Sequence, residues 1–346
     1  METHHTALLE MLVETVRNHY THDIAIMIVY GSYVDGTLTP TSDLDVIIVP
    51  KTDKGWNLAR TFMFNGTGND IFGVGWEHLE RYASFDDMKV SVLACSQLVY
   101  YDEEADRAHY EALIQQVHDI EQGPLTQALI EKAERRMTTV KQYYGELCLG
   151  HDLSAVGGIL YEIGDVICLL NHTYLRSGYK HFDDEIIQFA LLPEGFLQAF
   201  HAVSDGSTRE AVIRACHNLI SLIDSFLPEV RKVIVPQGNV QEFEELYEEM
   251  SSHWNKLRRA CATGDRMMAL TVASVLQSVF DMVQKHLGTD IADLRLVDQF
   301  TNGLQALLEA GDRAERTLVR LLQEGGLTFA QYDNLEALQN DLSKEP

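Results

Sequence analysis

Positive charge is what this 346-residue sequence has least of: 27 Lys and Arg stand against 52 Asp and Glu, a formal net charge of −25 with histidine neutral. So few cations cannot build the clustered field that a phosphate backbone requires, which argues against a long nucleic acid as partner and favours small, especially cationic, substrates. Long uncharged apolar runs are missing too. The first apolar positions are interrupted by Glu10, Glu14 and Arg17 with no basic segment before them, and the stretch from Val156 to Leu170 contains Glu162 and Asp165. Neither a leader peptide nor a span of ~20 apolar residues is read, so no membrane contact and a cytoplasmic location are expected. The five cysteines (Cys95, Cys148, Cys168, Cys216 and Cys261) are scattered without a C-x-x-C pair, which argues against disulfides and a zinc site. Among fourteen histidines there is no H-E-x-x-H spacing, and no repeat of fixed period occurs.

What is present is core material. At 46% hydrophobic residues the chain can fill about two domains of roughly 150 residues each. Leu8, Leu9, Leu12, Val13 and Val16 recur at helical spacing over residues 7 to 20. The period then changes: residues 24 to 30 are a continuous apolar run ending at Gly31-Ser32, and residues 44 to 49 are a second run stopped by Pro50. Further strands are expected at 70–76 and around 90–101. From about residue 105 the pattern is helical, over 105–119, 124–148, 154–176, 183–203, 207–227, 241–262, 265–287, 290–310 and 312–324, with a break at 233–240 where Pro236, Gln237 and Gly238 interrupt the periodicity. The expected class is α+β, a small mixed sheet with helices followed by an all-α helical bundle.

The chemistry is concentrated between Tyr30 and Val46. Asp43 and Asp45 stand two apart at the start of an apolar strand, so the two-residue period aims both carboxylates to one side, an arrangement a divalent cation makes tolerable. Gly31-Ser32 leaves the preceding strand at a turn into a helix, where glycine admits a phosphate close to the backbone and a hydroxyl donates to it. Ten residues separate Ser32 from Asp43, and Ser42 precedes the acid pair.

Gly-Ser, a spacer of that size and Ser-Asp-x-Asp, each flanked by a strand, resemble the nucleotidyltransferase superfamily that includes DNA polymerase beta and the antibiotic nucleotidyltransferases. The resemblance implies a third acid on a neighbouring strand, for which Asp70 is the candidate, ahead of a helix starting at Trp76-Glu77-His78. It further implies that Asp43, Asp45 and Asp70 hold two Mg²⁺ ions, that Gly31, Ser32 and Ser42 contact ATP or another nucleoside triphosphate, and that a hydroxyl attacks the α-phosphorus.

The layout is similar to kanamycin and streptomycin/spectinomycin nucleotidyltransferases, with a catalytic domain over 1–115, a helical domain closing the active site over 116–235 and an additional helical region over 236–346. On that likeness Glu162 contacts the acceptor or assists its deprotonation, Asp165 lies one turn on and binds the nucleotide, and Lys180 reaches the triphosphate. Residue chemistry leaves two alternatives for Glu162 and Asp165 inside an apolar helix: lining a cleft, or pairing with Lys or Arg from another helix. The expected acceptor is a small hydroxylated molecule, possibly aminoglycoside-like, to which the crowded Glu242, Glu244, Glu245, Glu248 and Glu249 would be attractive if they are not simply a solvated face. Trp254 and the Met267-Met268 pair read as core. A protein acceptor of the toxin–antitoxin type, or a regulator that binds nucleotide without turnover, is the competing expectation.

Overall fold

The computed structural model describes residues 4–39, 41–234 and 238–343; Pro40, and Pro236 with Gln237 in the expected break, lie outside them. The chain divides into two units, residues 1–234 and 235–346. The N-terminal unit begins with α1 (His4–His19), β1 (Ile24–Tyr30), the single turn α2 (Ser32–Asp35), β2 (Asp45–Pro50) and α3 (Asp53–Trp56). Then come β3 (Arg60–Phe64), β4 (Thr67–Gly73), α4 (Trp76–Ala83), α5 (Val90–Ala94) and β5 (Gln97–Tyr101). The five strands form one mixed sheet in the order β3-β4-β2-β1-β5, with β2 and β4 parallel and the other neighbours antiparallel. The expected mixed sheet followed by helices is therefore present.

Burial explains why β1 and β2 lack polar alternation. Leu8, Leu9, Leu12 and Val16 of α1 pack with Met27, Val29, Val46, Ile48 and Ile71 on one face, while Ile26, Ile28 and Ile47 on the opposite face are also wholly buried. Some boundaries differ from the sequence reading. The third expected strand lies earlier, at β4, and only the end of 90–101 is strand. The β3 strand gives no apolar period to read, because its side chains are mostly exposed. A two-residue turn, Asn65-Gly66, joins it to β4 with both φ angles positive, as a type I′ hairpin requires.

Helices complete this unit: α6 (Glu104–Gln122), α7 (Gln127–Leu149), α8 (Ala155–Leu170), a 3-10 turn at Gly178–His181, α9 (Phe182–Ile186), α10 (Phe196–Ser204) and α11 (Arg209–Ile234). The helix expected to reach residue 176 stops at Leu170. Asn171 turns its amide to the Ile167 and Leu191 carbonyls and accepts from the Leu191 N–H, and His172 follows at φ 43°, outside helical geometry. The helix expected over 183–203 is two, interrupted through Pro193 and by Gly195 at φ 76°.

The C-terminal unit is built on α12 (Leu246–Thr263), α13 (Arg266–Leu287), α14 (Leu304–Glu324) and the short α15 (Leu335–Leu342). Trp254 stacks on Phe280 in its core, with Leu257, Leu276, Leu307 and Leu318. Gly311, expected to separate two helices, lies inside α14: a Cβ there would stand 2.8 Å from Leu257 Cδ2, so the glycine serves close helix packing and not a break. Met267 and Met268 are exposed, contrary to the expectation of core positions. Helix α13 has the length and hydropathy of a membrane span, yet Ala269, Val272, Ala273, Leu276, Phe280, Val283 and Leu287 bury one side of it in the bundle core.

Candidate active site

Strand register places the acids in a row. Tyr30 at the end of β1 pairs with Asp45 at the start of β2, Asp45 with Asp70 on β4, and Asp70 with Thr61 on β3. Residues directly opposite across paired strands share a face, so the four side chains lie side by side. The Thr61 hydroxyl donates to Asp70 Oδ1 at 3.1 Å. Asp43 is exposed two residues before Asp45, which is half-buried.

Two residues that sequence reasoning missed fix the approach to this row. Asn69 is 4% exposed; its Oδ1 accepts the Leu44 N–H at 2.9 Å and its Nδ2 donates to the Thr67 carbonyl at 3.0 Å. It thereby clamps the backbone between Asp43 and Asp45 to the strand that carries Asp70. Buried His5 of α1 lies 2.7 Å through Nε2 from the Ser42 carbonyl, which can only accept, so that nitrogen carries the proton. The Ser42 hydroxyl itself closes the loop, accepting from the Thr39 N–H at 2.9 Å and bonding the Thr39 hydroxyl at 2.9 Å. Neither Asn69 nor His5 carries a local signal, because each acts on a residue distant in sequence.

Gly31 has φ 68° and ψ −148°, a conformation essentially reserved for glycine. A Cβ at this position would lie 2.5 Å from Asp45 Oδ2. The turn can therefore approach the acid row only because this residue has no side chain. Ser32 follows it as the first residue of α2.

Asp43 and Asp45 face a cleft of about 420 Å³ whose lining also includes Gly31, Ser32, Ser42 and Lys180. Arg176, Ser177, Gly178 and His181 join Lys180 on the loop after α8, and Ser91 and Cys95 contribute from the α5 region. Glu185 shapes that loop by accepting the N–H groups of Arg176 and Ser177 at 2.7 and 3.1 Å. Arg176, another residue missed from sequence, is held by the Glu121 carboxylate at 2.9 Å and the Tyr174 hydroxyl at 3.0 Å. Lys180 makes no hydrogen bond or ion pair with another described residue.

Electrostatics follow from this crowding. Burial, then repulsion from Asp43 and Asp70, outweighs the attraction of Lys180 and pushes the Asp45 carboxyl up to about 6. Burial and the neighbouring acids push the Tyr30 phenol up as well.

Glu162 and Asp165 are not part of the cleft lining. Arg136 of α7 takes both, at 2.8 and 2.9 Å, which is the second of the two alternatives left open by their chemistry. Asp165 is pushed up to about 7 chiefly by burial, with Arg136 opposing and Glu162 and Asp87 adding repulsion. Asp70 also lies outside the lining of the cleft, but is joined to Asp45 by register.

Oxygen-only donors on Asp43, Asp45 and Asp70 have the chemistry of a site for a hard divalent cation. A different trio, His22, Asp102 and Glu103, brings its ligand atoms within 4.8 Å of one another. Lys51 sits among them, 2.8 Å from Asp102, 2.7 Å from Asp106 and 3.8 Å from Glu103, so an ammonium already supplies the positive charge there.

No curated protein matches the chain. Among solved structures, the nucleotidyltransferase-like protein from Exiguobacterium sibiricum 255-15 is similar at 13% identity, over 69% of this chain and 87% of that one, with a TM-score of 0.34. Residues 9–136 match the family model described as a nucleotidyltransferase domain, so the region similar to that family holds all five strands together with Gly31, Ser32, Asp43, Asp45 and Asp70.

Proposed function

We propose that this protein is a Mg²⁺-dependent nucleotidyltransferase that moves a nucleoside monophosphate, AMP from ATP, onto a hydroxyl of a small, cationic, aminoglycoside-like molecule. The observation that carries the reading is the Asp45–Asp70 register with Asp43 beside it and the side-chain-free Gly31 turn against Asp45. Asp43, Asp45 and Asp70 would hold the metal, which when bound lowers the pKa of the attacking hydroxyl and offsets charge on the leaving pyrophosphate.

The chain's own groups supply positioning and charge. Gly31 leaves room for a phosphate at the turn, the Ser32 hydroxyl donates to it, and Lys180 in the same cleft lining offers an ammonium to the triphosphate. The acceptor oxygen bonds to the α-phosphorus as the α–β bridging P–O bond breaks, pyrophosphate leaves with that electron pair, and the hydroxyl proton passes to Asp70. Asp70 is favoured over Glu162 for the proton because Glu162 is engaged by Arg136. The acidic balance of the chain supports a cationic acceptor.

The test is pyrophosphate release from each of the four nucleoside triphosphates with Mg²⁺, over a panel of aminoglycosides and other hydroxylated molecules. Asp43→Asn/Asp45→Asn serves as the blank. Release that requires an acceptor and is absent from the blank supports the proposal; label from α-labelled ATP appearing on a polypeptide, or nucleotide binding with no release under any condition, overturns it. In pH profiles of kcat/KM, Asp70→Asn and not Glu162→Gln should abolish the acidic limb.

A further inference from the structure

An open concavity of about 660 Å³ on the surface of the C-terminal unit is lined by the exposed side chains of Arg313, Arg316 and Arg320 together with Tyr247, Asp293 and Gln323. The arginines follow one another on α14 at spacings of three and four, so they share one helix face over about 10 Å of its axis. Three neighbouring acids on the same helix, Glu309, Asp312 and Glu315, are engaged elsewhere. Arg258 of α12 takes both Asp312, at 3.0 Å, and Glu315, and Glu315 also accepts the Tyr247 hydroxyl at 3.3 Å. Glu309 accepts from Gln305 at 2.9 Å. None of the three arginines forms a hydrogen bond or ion pair with another described residue. Of the two carboxylates lining the cavity, Glu315 is thus committed, and Asp293 lies 3.5 Å from the Thr317 hydroxyl.

In a chain with a net charge of −25, three unpaired guanidinium groups around one concavity are a local excess of positive charge. We infer that this cavity binds a small polyphosphate, the phosphate chain lying along Arg313, Arg316 and Arg320. Guanidinium forks match phosphate oxygens two at a time, which favours phosphate as the anion. The volume is that of a small-molecule site, and the acidic surface elsewhere opposes a long polyanion. The phosphate chain can belong to an inorganic polyphosphate or to a nucleotide, for which Tyr247 and Val319 supply apolar surface. This site is independent of the catalytic reading.

Calorimetric titration of the full chain with inorganic tripolyphosphate, at low salt with EDTA, tests it. Binding should fall by about a hundredfold in Arg316→Ala/Arg320→Ala, roughly tenfold for each lost partner, and survive Lys180→Ala. Asp293→Asn should tighten binding, a direction that misfolding cannot mimic, and Arg316→Lys/Arg320→Lys should fall between wild type and the alanine pair. A parallel titration with ATP separates the sources: tighter binding than tripolyphosphate, lost with the same arginines, assigns a nucleotide, whereas equal binding assigns the phosphate chain alone. Equal affinity in wild type and the alanine pair, or arginine-dependent binding of a single-stranded oligonucleotide but not of tripolyphosphate, overturns the inference.

Discussion

Replacing Gly31 by alanine tests the link between the turn and the acid row, because the structure supplies both the perturbation and its control. The new Cβ would begin 2.5 Å from Asp45 Oδ2, whereas ordinary contact starts at 3.4 Å, so the carboxylate must retreat by about 0.9 Å. Displacing a reacting group by about 1 Å costs roughly 100-fold in rate. The backbone conformation adds about 1–3 kcal/mol of strain for a residue with a side chain. Gly36 provides the comparison: its φ of 71° and ψ of 16° are also left-handed, but nothing lies within 4 Å of a Cβ built there. Gly36→Ala should therefore lose about 1–2 kcal/mol and keep its turnover. Urea denaturation measures the first quantity and acceptor-dependent pyrophosphate release the second. Comparable stability losses with a rate loss of roughly 100-fold confined to Gly31→Ala are expected; a Gly31→Ala kcat within about threefold of Gly36→Ala would refute the contact argument.

Other perturbations have equally definite signs. Because the folded state raises the Asp45 carboxyl to about 6 while the unfolded chain leaves it near 4, native Asp45 binds its proton more tightly, and its contribution to stability is lost as pH rises through that window. Asp45→Asn should accordingly melt above wild type at pH 8 and converge with it below about pH 4, and Mg²⁺ should raise Tm at pH 8 in wild type only. Asn69→Ala strands the Leu44 N–H in a buried position and should lower stability by about 1–3 kcal/mol in urea denaturation, with a matching fall in turnover as the Asp43–Asp45 segment loosens. Arg136→Met leaves Glu162 and Asp165 mostly buried without their cation and should destabilise by about 3–5 kcal/mol; restoration by Glu162→Gln/Asp165→Asn in the same background would attribute that loss to uncompensated charge.

The parts of the fold legible in the sequence are those with local causes. Strands β1 and β2 announce themselves because both of their faces are buried, and the turn between them because Gly31-Ser32 and Asp43-x-Asp45 place special chemistry at fixed offsets. β3 had one local signal, Asn65-Gly66, which specifies a hairpin even where exposed strand residues give no apolar alternation. The end of α8 had none, since apolar periodicity continues past Leu170 and the stop is set by the pairing of Asn171 with Leu191, twenty residues on. The place of Asp70 on the strand beside Asp45 is legible from its distance beyond the acid pair. Asn69 beside it is not, because its work is to hold Leu44 across the sheet. The partner of Glu162 and Asp165 was equally hidden: Arg136 is on a different helix, and no spacing rule connects them.

On the proposed reading, both substrates meet local charge and not the net charge of the chain. An excess of 25 negative charges would repel a nucleoside triphosphate if it acted everywhere, but at physiological ionic strength the field of an exposed charge is largely screened beyond about 8 Å. Within that range the nucleotide meets the unpaired ammonium of Lys180, and the carboxylates of Asp43 and Asp45 that a bound cation would offset. The loop that carries Lys180 and the segment that carries the acids rest on separate anchors: Glu185 and Glu121 hold the first, while Asn69 and His5 hold the second. Separate anchoring keeps Lys180 from being consumed by the sheet acids as an ordinary salt bridge, which would neutralise the charges that both substrates need. The acceptor's positive charge is then met at close range by the exposed carboxylates of Asp43 and Asp70, and not by the distant acidic surface.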